Sequence, residues 1–428
     1  MRLRTLLVWL SPIVLAVTLS GFLFARTMDA RERRVFWNDS VVDQMMALVS
    51  SEYVDEIDEQ RARDLFYSAM DGYLKALDPY CCFYDPNARR EMEEDTTGRF
   101  GGIGVLVRMR DAGLTVLGIR RGDPADKAGV QLGDVIRKVG GIGVETLALD
   151  ETMARIRGEP GTEVVIEFGR GAESIVKTLT RSQVKSDSVV GVRILDLARG
   201  IGYFRINAFQ ENTGEDARRA LLELKEKGVR SFILDLRGNR GGVVERGAVA
   251  LVDLFLDDGP IVETRGRGAS SRRVYMAGPT DTVCRTEPLV VLVDGDSASA
   301  AEVVAGAFQD RRRGVLLGER TFGKFLVQSI HRLPELDVAL QITTARYYTP
   351  YGRWLQRRED EGTRGGIVPD VVVPRTEADE KLLEDLFGGQ HGMDMIIVDD
   401  PLPEPDSQLA RAIQLLADHH AVRGSRGR

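Results

Sequence analysis

The sequence predicts an α/β protein in which a βαβ core follows a separate strand-rich unit and an N-terminal helical region. Three observations support this prediction. In residues 183–375, apolar runs of strand length alternate with helical patterns. In residues 96–182, many glycines separate short apolar runs, which is typical of hairpins. Residues 29–95 instead repeat apolar side chains at intervals of three and four. A chain of 428 residues is long enough for two or three such domains.

Residues 1–28 differ in composition from the rest of the chain. Arg2 and Arg4 precede an uncharged stretch at residues 6–24, and Arg26 follows it. A stretch of this length is about long enough to cross the hydrocarbon core of a bilayer. We interpret it as a signal anchor, with a cleaved signal peptide as the alternative. The rest of the chain is then expected to be exported into a bacterial-type periplasm and tethered to the inner membrane.

Within residues 29–95, two apolar patterns predict two helices. The first includes Val41, Met45 and Leu48, and the second includes Leu65 and Leu74. We expect the methionines to belong to a core. The Asp-Pro pairs at residues 78–79 and 85–86 are interpreted as the end of the helical region.

Charge and cysteine content narrow the function. A net charge of −7 provides no basic surface for nucleic acid, so no nucleic-acid partner is expected. Three cysteines are too few for a disulfide framework in a chain of this length. We interpret Cys81, Cys82 and Cys284 as small buried hydrophobic residues. A bond from Cys284 to one of the other two stays open for an oxidising compartment.

Ser299 is the candidate nucleophile, because it lies where a strand gives way to a helix. An apolar run at residues 288–293 ends in an Asp-Gly turn, after which small residues begin a helical pattern. Ser299 and Glu302 also fit a capping box, in which both side chains bind donors of the first helical turn. The alternative is catalysis. The N–H groups of a helix start are suited to a developing oxyanion, and the flanking alanines leave room for a carbonyl group.

Lys324 is the candidate general base. A lysine accepts a proton near neutral pH only if its pKa falls by roughly three units, and burial among apolar side chains has this effect. Phe322 and Phe325 provide such neighbours. Residues 324–332 are predicted to form a strand, so Lys324 and Gln328 share a face. Gln328 would then orient the amine by a hydrogen bond. The alternative for Lys324 is a solvated strand lysine.

Four motifs in order carry a family resemblance: residues 296–307, 318–324, 343–353 and 366–370. With these motifs, residues from about 35 to 375 resemble the carboxyl-terminal processing proteases, tail-specific Ser/Lys peptidases of family S41. The resemblance implies a crotonase- and ClpP-like βαβ core and a serine endopeptidase that cleaves proteins near their C-terminus. It implies Ser299 as nucleophile, Lys324 as general base and Gln328 as orienting partner, with no metal and no organic cofactor.

The turn at residues 237–242 is implied to supply part of the oxyanion hole. Carried over from the family, the N–H of Gly241 or Gly242 works with that of Ala300, and the choice between the glycines stays open. Two residues depart from the family pattern. Arg240 stands where proline is usual, and Phe325 follows the lysine where glycine is usual. We expect Phe325 to place a side chain beside the base, and both departures to affect rate and specificity more than chemistry.

Residues 96–182 resemble a PDZ domain over their whole length. The resemblance rests on the Gly-Gly-Ile-Gly run at 101–104 and on residues 122–136. Such a domain adds a peptide to its sheet edge as a strand and binds the terminal carboxylate in a nest of N–H groups. The nest is expected at Gly101, Gly102, Ile103 and Gly104, with a ligand-free glycine-rich hairpin as the alternative. Expected partners are proteins with apolar C-terminal tails, with an activating partner or adaptor and self-association through the helical region left open.

Two alternative functions were weighed. A Ser-His-Asp hydrolase is disfavoured, since none of the four histidines is well placed. His331, for example, lies on the other face of the strand from Lys324. A catalytically inactive, membrane-tethered PDZ binding protein is favoured only by Phe325. Residues 376–428 form a C-terminal tail with amphipathic helices, which is expected either to dock on a neighbour or to stay mobile.

Overall fold

The computed structural model describes residues 39–358, 362–387 and 406–426. The predicted anchor at residues 6–24 lies outside these ranges. Within them, no helix is both long enough and apolar enough to cross a bilayer. The described residues divide into two compact units, with the boundary between Tyr73 and Leu74.

The first unit contains helix α1, Asp39–Glu52, and most of helix α2, Glu59–Lys75. Both helices were predicted by their apolar spacing. Met45 is 63% exposed and Met46 is 44% exposed. The expectation of a core position for these methionines is therefore wrong, because the apolar stripe of α1 stays open to solvent.

The second unit begins with strand β1, Cys82–Tyr84, and helix α3, Pro86–Thr97. The Asp85 carboxylate accepts the N–H groups of Asn87 and Ala88, each at 2.8 Å, and Pro86 occupies the first helical position. This Asp-Pro pair thus starts a helix, whereas the sequence analysis interpreted it as the end of a helical region. Gly98 ends the helix with a φ of 64°.

The strand-rich unit follows directly. Its six-stranded sheet has the order β3-β4-β5-β7-β8 with β6 paired to β5, and a separate ladder joins β2 to β9. Apolar side chains from this sheet and from two short helices form one core that includes Leu114, Ile136 and Phe168. The bounds are β2 Arg99–Gly102, β3 Val105–Arg110, β4 Gly113–Ile119, α4 Pro124–Lys127, β5 Val135–Val139, β6 Ile142–Gly143, α5 Leu149–Ile156, β7 Glu163–Arg170, β8 Glu173–Thr180 and β9 Ser182–Lys185.

The next part of the chain alternates strands and helices, as predicted. Its six-stranded sheet has the order β10-β11-β12-β15-β16-β19, and every pair except β10 with β11 is parallel. The bounds are β10 Val189–Asp196, β11 Ile201–Ile206, α6 Thr213–Glu226, β12 Ser231–Asp235, a π-helix Val244–Val249, α7 Ala250–Asp253, β13 Pro260–Gly266, β14 Arg273–Met276, β15 Leu289–Val293, α8 Ala300–Asp310, β16 Val315–Gly318, β17 Leu326–Leu333, β18 Val338–Tyr348 and β19 Val371–Val372. Strands β12 and β15 are buried along their whole length, as expected for parallel strands covered on both faces.

A second, antiparallel sheet has the order β1-β18-β13-β14, with β17 also paired to β18. The predicted hairpin of β17 and β18 is confirmed, and the 3-10 turn Pro334–Leu336 joins its strands. Strand β17 begins at Leu326, two residues after the predicted start at Lys324.

The C-terminal tail contains helix α9, Glu377–Phe387, and helix α10, Ser407–Arg426. Leu409, Ala412 and Leu416 of α10 pack against Ile233 and Val290 on one face of the six-stranded sheet. The described part of the tail therefore docks on its own domain.

The three cysteines are free thiols. Cys81 and Cys284 are buried, as expected for small hydrophobic residues, and burial raises the pKa of Cys284 to about 12.

Candidate active site

The turn after β15 holds Ser299 through a dense set of hydrogen bonds. The Asp294 carboxylate accepts the N–H of Ser297 at 2.9 Å and that of Gly238 at 3.0 Å. The Ser297 hydroxyl donates to the carbonyl of Leu236 at 2.8 Å. The end of β12 and the end of β15 are thereby fixed to each other beside Ser299.

The backbone of Ser299 is strained. Its φ is 56° and its ψ is −114°, whereas a helix-capping residue usually has an extended backbone. A residue with a side chain keeps such a conformation only where the surroundings enforce it, which is common at functional sites. The Glu302 carboxylate does accept the Ser299 N–H at 3.0 Å, so this half of the predicted capping box is present.

Glu302 connects the segment of Ser299 to the segment of Lys324. Its Oε2 accepts the N–H of Ser299 at 3.0 Å and that of Lys324 at 2.7 Å. Because one oxygen accepts both, the two main-chain nitrogens are at most two hydrogen-bond lengths apart. Oε1 accepts the Thr321 hydroxyl at 2.6 Å and the Gly323 N–H at 2.7 Å.

The Glu302 side chain is fully buried. Burial raises its pKa to about 7, against the lowering effect of its four hydrogen bonds. The sequence analysis gave this residue a capping role only. The signal that could have revealed more is an acidic residue in an otherwise apolar helix start.

Lys324 has its ammonium nitrogen 4.6 Å from the centre of the Tyr80 ring. Among the residues that the structure describes, no carboxylate lies within ion-pair distance of this nitrogen. The pKa of Lys324 is lowered, chiefly by burial and against the opposing charges of Asp78 and Glu302. The direction is the one that a general base requires. The sequence analysis did not identify Tyr80.

Gln328 lines the same cleft as Lys324, although strand alternation alone does not explain this shared position. The register of β17 and β18 shifts between Val327 and Gln328, so the alternation of faces is broken there. Both residues consequently line the cleft that Ser299 and Lys324 line. The Gln328 amide donates to the Thr343 hydroxyl at 3.2 Å.

The turn at residues 237–242 contacts the nucleophile segment directly. The Asn239 carbonyl accepts the Ala298 N–H at 2.9 Å, and the Asn239 side chain accepts the Gly241 N–H at 2.8 Å. Gly241 has a φ of 103°, and an added Cβ would lie 2.7 Å from Cβ of Ser299, so only glycine fits. The N–H groups of Gly242 and Ala300 donate no hydrogen bond within the described part of the chain.

A cleft of about 1160 Å³ contains the predicted catalytic group, with Ser299, Lys324, Gln328, Gly241 and Gly242 in its wall. Ala300, buried behind Ser299, is the first residue of α8.

The two departures from the family pattern differ in position. Phe325 is 2% exposed and packs in the hydrophobic core. Its N–H donates to the Gln356 side chain at 2.8 Å. The expectation that this ring would lie beside the base is therefore wrong, because the ring points into the core. Arg240 is exposed and lines the cleft.

The four residues expected to form a carboxylate nest are all buried. Gly101 and Gly102 pair with β9, and the carbonyl of Ile103 accepts the Ala125 N–H at 2.9 Å. Gly104 has a φ of 75°. Their part in peptide binding stays a prediction.

Comparisons with known proteins identify the family. The family model of peptidase family S41 matches residues 200–373, and that of the PDZ domain matches residues 101–179. A carboxy-terminal-processing protease of Bartonella bacilliformis is 36% identical over 329 residues, which cover 76% of this chain and 72% of the relative. The chain belongs to peptidase family S41, the carboxyl-terminal processing proteases. It is a serine-type peptidase, and its PDZ domain implies protein substrates.

A second curated relative agrees with the family assignment, and a solved structure agrees with the fold. The carboxy-terminal processing protease CtpA of Bacillus subtilis is 30% identical over 385 residues, covering 89% of this chain and 80% of the relative. A solved structure from Bacteroides fragilis, provisionally described as an S41 protease, gives a TM-score of 0.50 at 15% identity. It covers 88% of this chain and 97% of that chain, a likeness of fold. The predicted fold class, an α/β peptidase with a PDZ domain and N-terminal helices, is confirmed.

Proposed function

We propose that Ser299 and Lys324 form the catalytic dyad of an endopeptidase that cleaves proteins near their C-terminus, with the PDZ domain binding the substrate tail. The observation that carries this proposal is the Glu302 carboxylate. One of its oxygens accepts the main-chain N–H groups of both Ser299 and Lys324, and both side chains line one cleft. The lowered pKa of Lys324 supports its role as base.

The reaction proceeds in two steps. Neutral Lys324 accepts the proton of the Ser299 hydroxyl while Oγ forms a bond to the substrate carbonyl carbon. The C–N bond then breaks, and the protonated lysine returns the proton to the leaving amine. In the second step Lys324 takes a proton from water, which attacks the acyl ester. The new carboxyl terminus leaves, and Ser299 regains its proton.

The oxyanion formed in each step accepts hydrogen bonds from the N–H groups of Gly242 and Ala300. Gly241 is the weaker candidate, because its N–H already donates to Asn239. Removing one such donor typically costs about 3–4 kcal/mol of transition-state stabilisation.

Gln328 orients the lysine in this mechanism. Its amide nitrogen is engaged by the Thr343 hydroxyl, which leaves its side-chain oxygen to accept a hydrogen bond from the Lys324 amine. An amine held in one rotamer loses less conformational entropy when it forms a hydrogen bond with the Ser299 hydroxyl.

The PDZ domain adds an apolar C-terminal tail to its sheet edge as an extra strand. Support comes from the match of the PDZ family model to residues 101–179. Main-chain hydrogen bonds would supply the affinity, and a free terminal carboxylate would supply the selectivity for chain ends.

Location forms a separate part of the proposal. We propose that the enzyme is exported and held at the inner membrane by residues 6–24, on the basis of their uncharged sequence. In cells, the protein should sediment with membranes and stay there after carbonate washing. Release by carbonate, or absence from the membrane fraction, would contradict an anchor.

The proposed cleavage is tested with the full-length enzyme and an unfolded reporter protein that ends in Val-Val-Ala. Mass spectrometry should show the native enzyme shortening the reporter from its C-terminus. Ser299→Ala and Lys324→Ala should each stop cleavage, while a fluorescent peptide with the same ending still binds. A C-terminally amidated peptide is the matched control for binding.

Two results would reject the proposal. Cleavage by the Ser299→Ala variant would exclude Ser299 as nucleophile. Binding of the tail peptide without cleavage by the native enzyme would support the inactive binding protein instead. Phe325 was the feature that favoured an inactive binding protein. It no longer does so, because its ring lies in the core rather than beside the base.

A further inference from the structure

Arg237, the first residue of the proposed oxyanion turn, is held by the C-terminal tail. Its guanidinium is 3% exposed and contacts the Asp235 carboxylate, with Nη2 2.7 Å from Oδ2. It also contacts Asp406, with Nη1 2.8 Å from Oδ1 and Nη2 3.1 Å from Oδ2. The Gln408 side chain accepts from Nη1 at 3.1 Å. Asp406 and Gln408 lie at the start of α10, far along the chain from the turn.

The buried charges around Arg237 balance only if Asp406 is counted. Nη1 of Arg205 lies 3.7 Å from the Asp235 carboxylate, so two guanidinium groups face two carboxylates. Removal of the Asp406 charge would leave a net positive charge in a site closed to water. The cost of this uncompensated charge would favour movement of the Arg237 guanidinium toward solvent.

Movement of Arg237 would be passed to the nucleophile segment by hydrogen bonds. The Arg237 carbonyl accepts from Arg205 at 2.6 Å, and the next residue, Gly238, donates to Asp294. Asn239 accepts the N–H of Ala298, which directly precedes Ser299. Hydrogen bonds and short covalent stretches of backbone thus connect Asp406 to the segments that carry the proposed oxyanion donors.

We propose that Asp406 is a positioning residue for catalysis: by holding Arg237 from the C-terminal tail, it sets the oxyanion turn against Ser299. This inference rests on the proposed Ser/Lys mechanism. It extends the active site to a segment beyond residue 373, where the match to the S41 family model ends. Asp406 touches no reacting group, so it acts only through Arg237.

Asp406→Asn is the primary test, because it removes the charge and keeps the cap. Asp406 accepts the N–H groups of Gln408 at 3.0 Å and Leu409 at 2.9 Å, and asparagine caps helices equally well. Asp379→Asn is the matched control. Asp379 accepts the N–H and hydroxyl of Ser407 at 2.9 and 2.7 Å, so it also anchors the start of α10. It forms no contact with Arg237 among the described residues.

Two rates separate positioning from folding. The first is the rate at which a fluorophosphonate labels Ser299, and the second is kcat for the Val-Val-Ala reporter, with KM measured alongside. Asp406→Asn should lower the labelling rate and kcat by about 10–100-fold and leave KM within about 2-fold. The reason is that misplaced oxyanion-hole N–H groups stabilise the transition state less but leave substrate binding unchanged. Asp379→Asn should leave both rates within about 3-fold.

A rescue experiment moves the negative charge from position 406 to position 408. Gln408 already contacts Arg237, so Gln408→Glu in the Asp406→Asn background returns a carboxylate to the same guanidinium. Gln408 also donates to the Val373 carbonyl at 2.8 Å, so the single Gln408→Glu variant is the reference for this double variant. The loss caused by Asp406→Asn is the difference in the logarithm of the labelling rate from the native enzyme. The double variant should recover at least half of this difference.

Equal labelling rates and equal kcat values for Asp406→Asn and Asp379→Asn would overturn the inference. It would also be overturned if the folded double variant is labelled no faster than Asp406→Asn. If Asp406→Asn unfolds at the assay temperature, the double variant decides the outcome in the same way. Failure of the mechanism itself has a different signature. In that case Ser299→Ala would still cleave the reporter, whatever the Asp406 variants do.

Discussion

Arg237 and Lys324 line the same cleft and burial acts to lower the pKa of both, yet their net pKa shifts have opposite directions. Arg237 lies between the carboxylates of Asp235 and Asp406, and its pKa is raised well above the ordinary value. Lys324 faces a tyrosine ring, and its pKa is lowered. The available partners, rather than burial alone, therefore decide whether a buried cation keeps its proton.

The two regions are suited to different tasks for this reason. A fully paired guanidinium is fixed in charge and in position, which suits a residue that supports a turn. A buried amine without a carboxylate partner loses its proton more readily than an exposed one, which suits a base. Four variants test this difference between the two buried cations.

Lys324→Arg should reduce kcat/KM for the reporter by about 10²–10⁴-fold, the usual contribution of a general base. Arginine keeps the positive charge and stays protonated, so it cannot accept the serine proton. Lys227→Arg, at the exposed C-terminal cap of α6, is the control and should have native kinetics. Activity of Lys324→Arg close to the native level would show that the lysine acts as a cation.

Arg237→Met should destabilise the protein by about 3–5 kcal/mol, because two buried carboxylates lose their common partner. Urea unfolding followed by circular dichroism measures the change. The Arg265→Met variant removes a half-exposed arginine from a surface ion pair and should cost far less stability, because solvent screens such pairs. Similar losses for the two variants would mean that the Arg237 cluster contributes little.

Glu302→Gln should cost about 1–3 kcal/mol of stability, since an amide group opposes at least one of the four donors that the carboxylate accepts. The rate of Ser299 labelling by a fluorophosphonate should also fall, because Ser299 and Lys324 lose their shared acceptor. Native labelling with lowered stability would limit Glu302 to a structural role.

Lys324→Met should stabilise the protein by about 1–2 kcal/mol at pH 7, because it removes a buried cation without a carboxylate partner. The native pKa of Lys324 lies below the unfolded value of 10.5. Between these two pKa values the unfolded chain binds the extra proton, so the native protein gains stability as pH rises.

The advantage of Lys324→Met should therefore be complete below the native pKa of Lys324 and vanish as pH approaches 10.5. Thermal unfolding at a series of pH values measures it. An advantage that does not change with pH would have to arise from packing rather than charge.

Local patterns in the sequence predicted much of this architecture. The strand, turn and helix around Ser299 and the hairpin after Lys324 follow from apolar periodicity and turn residues, which act over short distances. The membership of Ser299, Lys324 and Gln328 in one cleft followed from ordered motifs together with these local patterns.

The remaining features depend on contacts that no local pattern encodes. Tyr80 and Asp406 reach Lys324 and Arg237 from distant parts of the chain. The four hydrogen bonds that the Glu302 carboxylate accepts arise from tertiary structure, because three of the donors belong to residues 321–324. The inward direction of Phe325 depends on a core that forms only in the folded state.

The central claim is that Lys324 is poised to lose its proton in the folded enzyme. Nuclear magnetic resonance of the Ser299→Ala protein with ¹³C at the lysine ε-carbons measures this directly, and the signal missing in Lys324→Arg assigns the residue. The account predicts that Lys324 titrates below the ordinary value of 10.5, while exposed lysines titrate near it. A pKa for Lys324 at or above 10.5 would contradict the account.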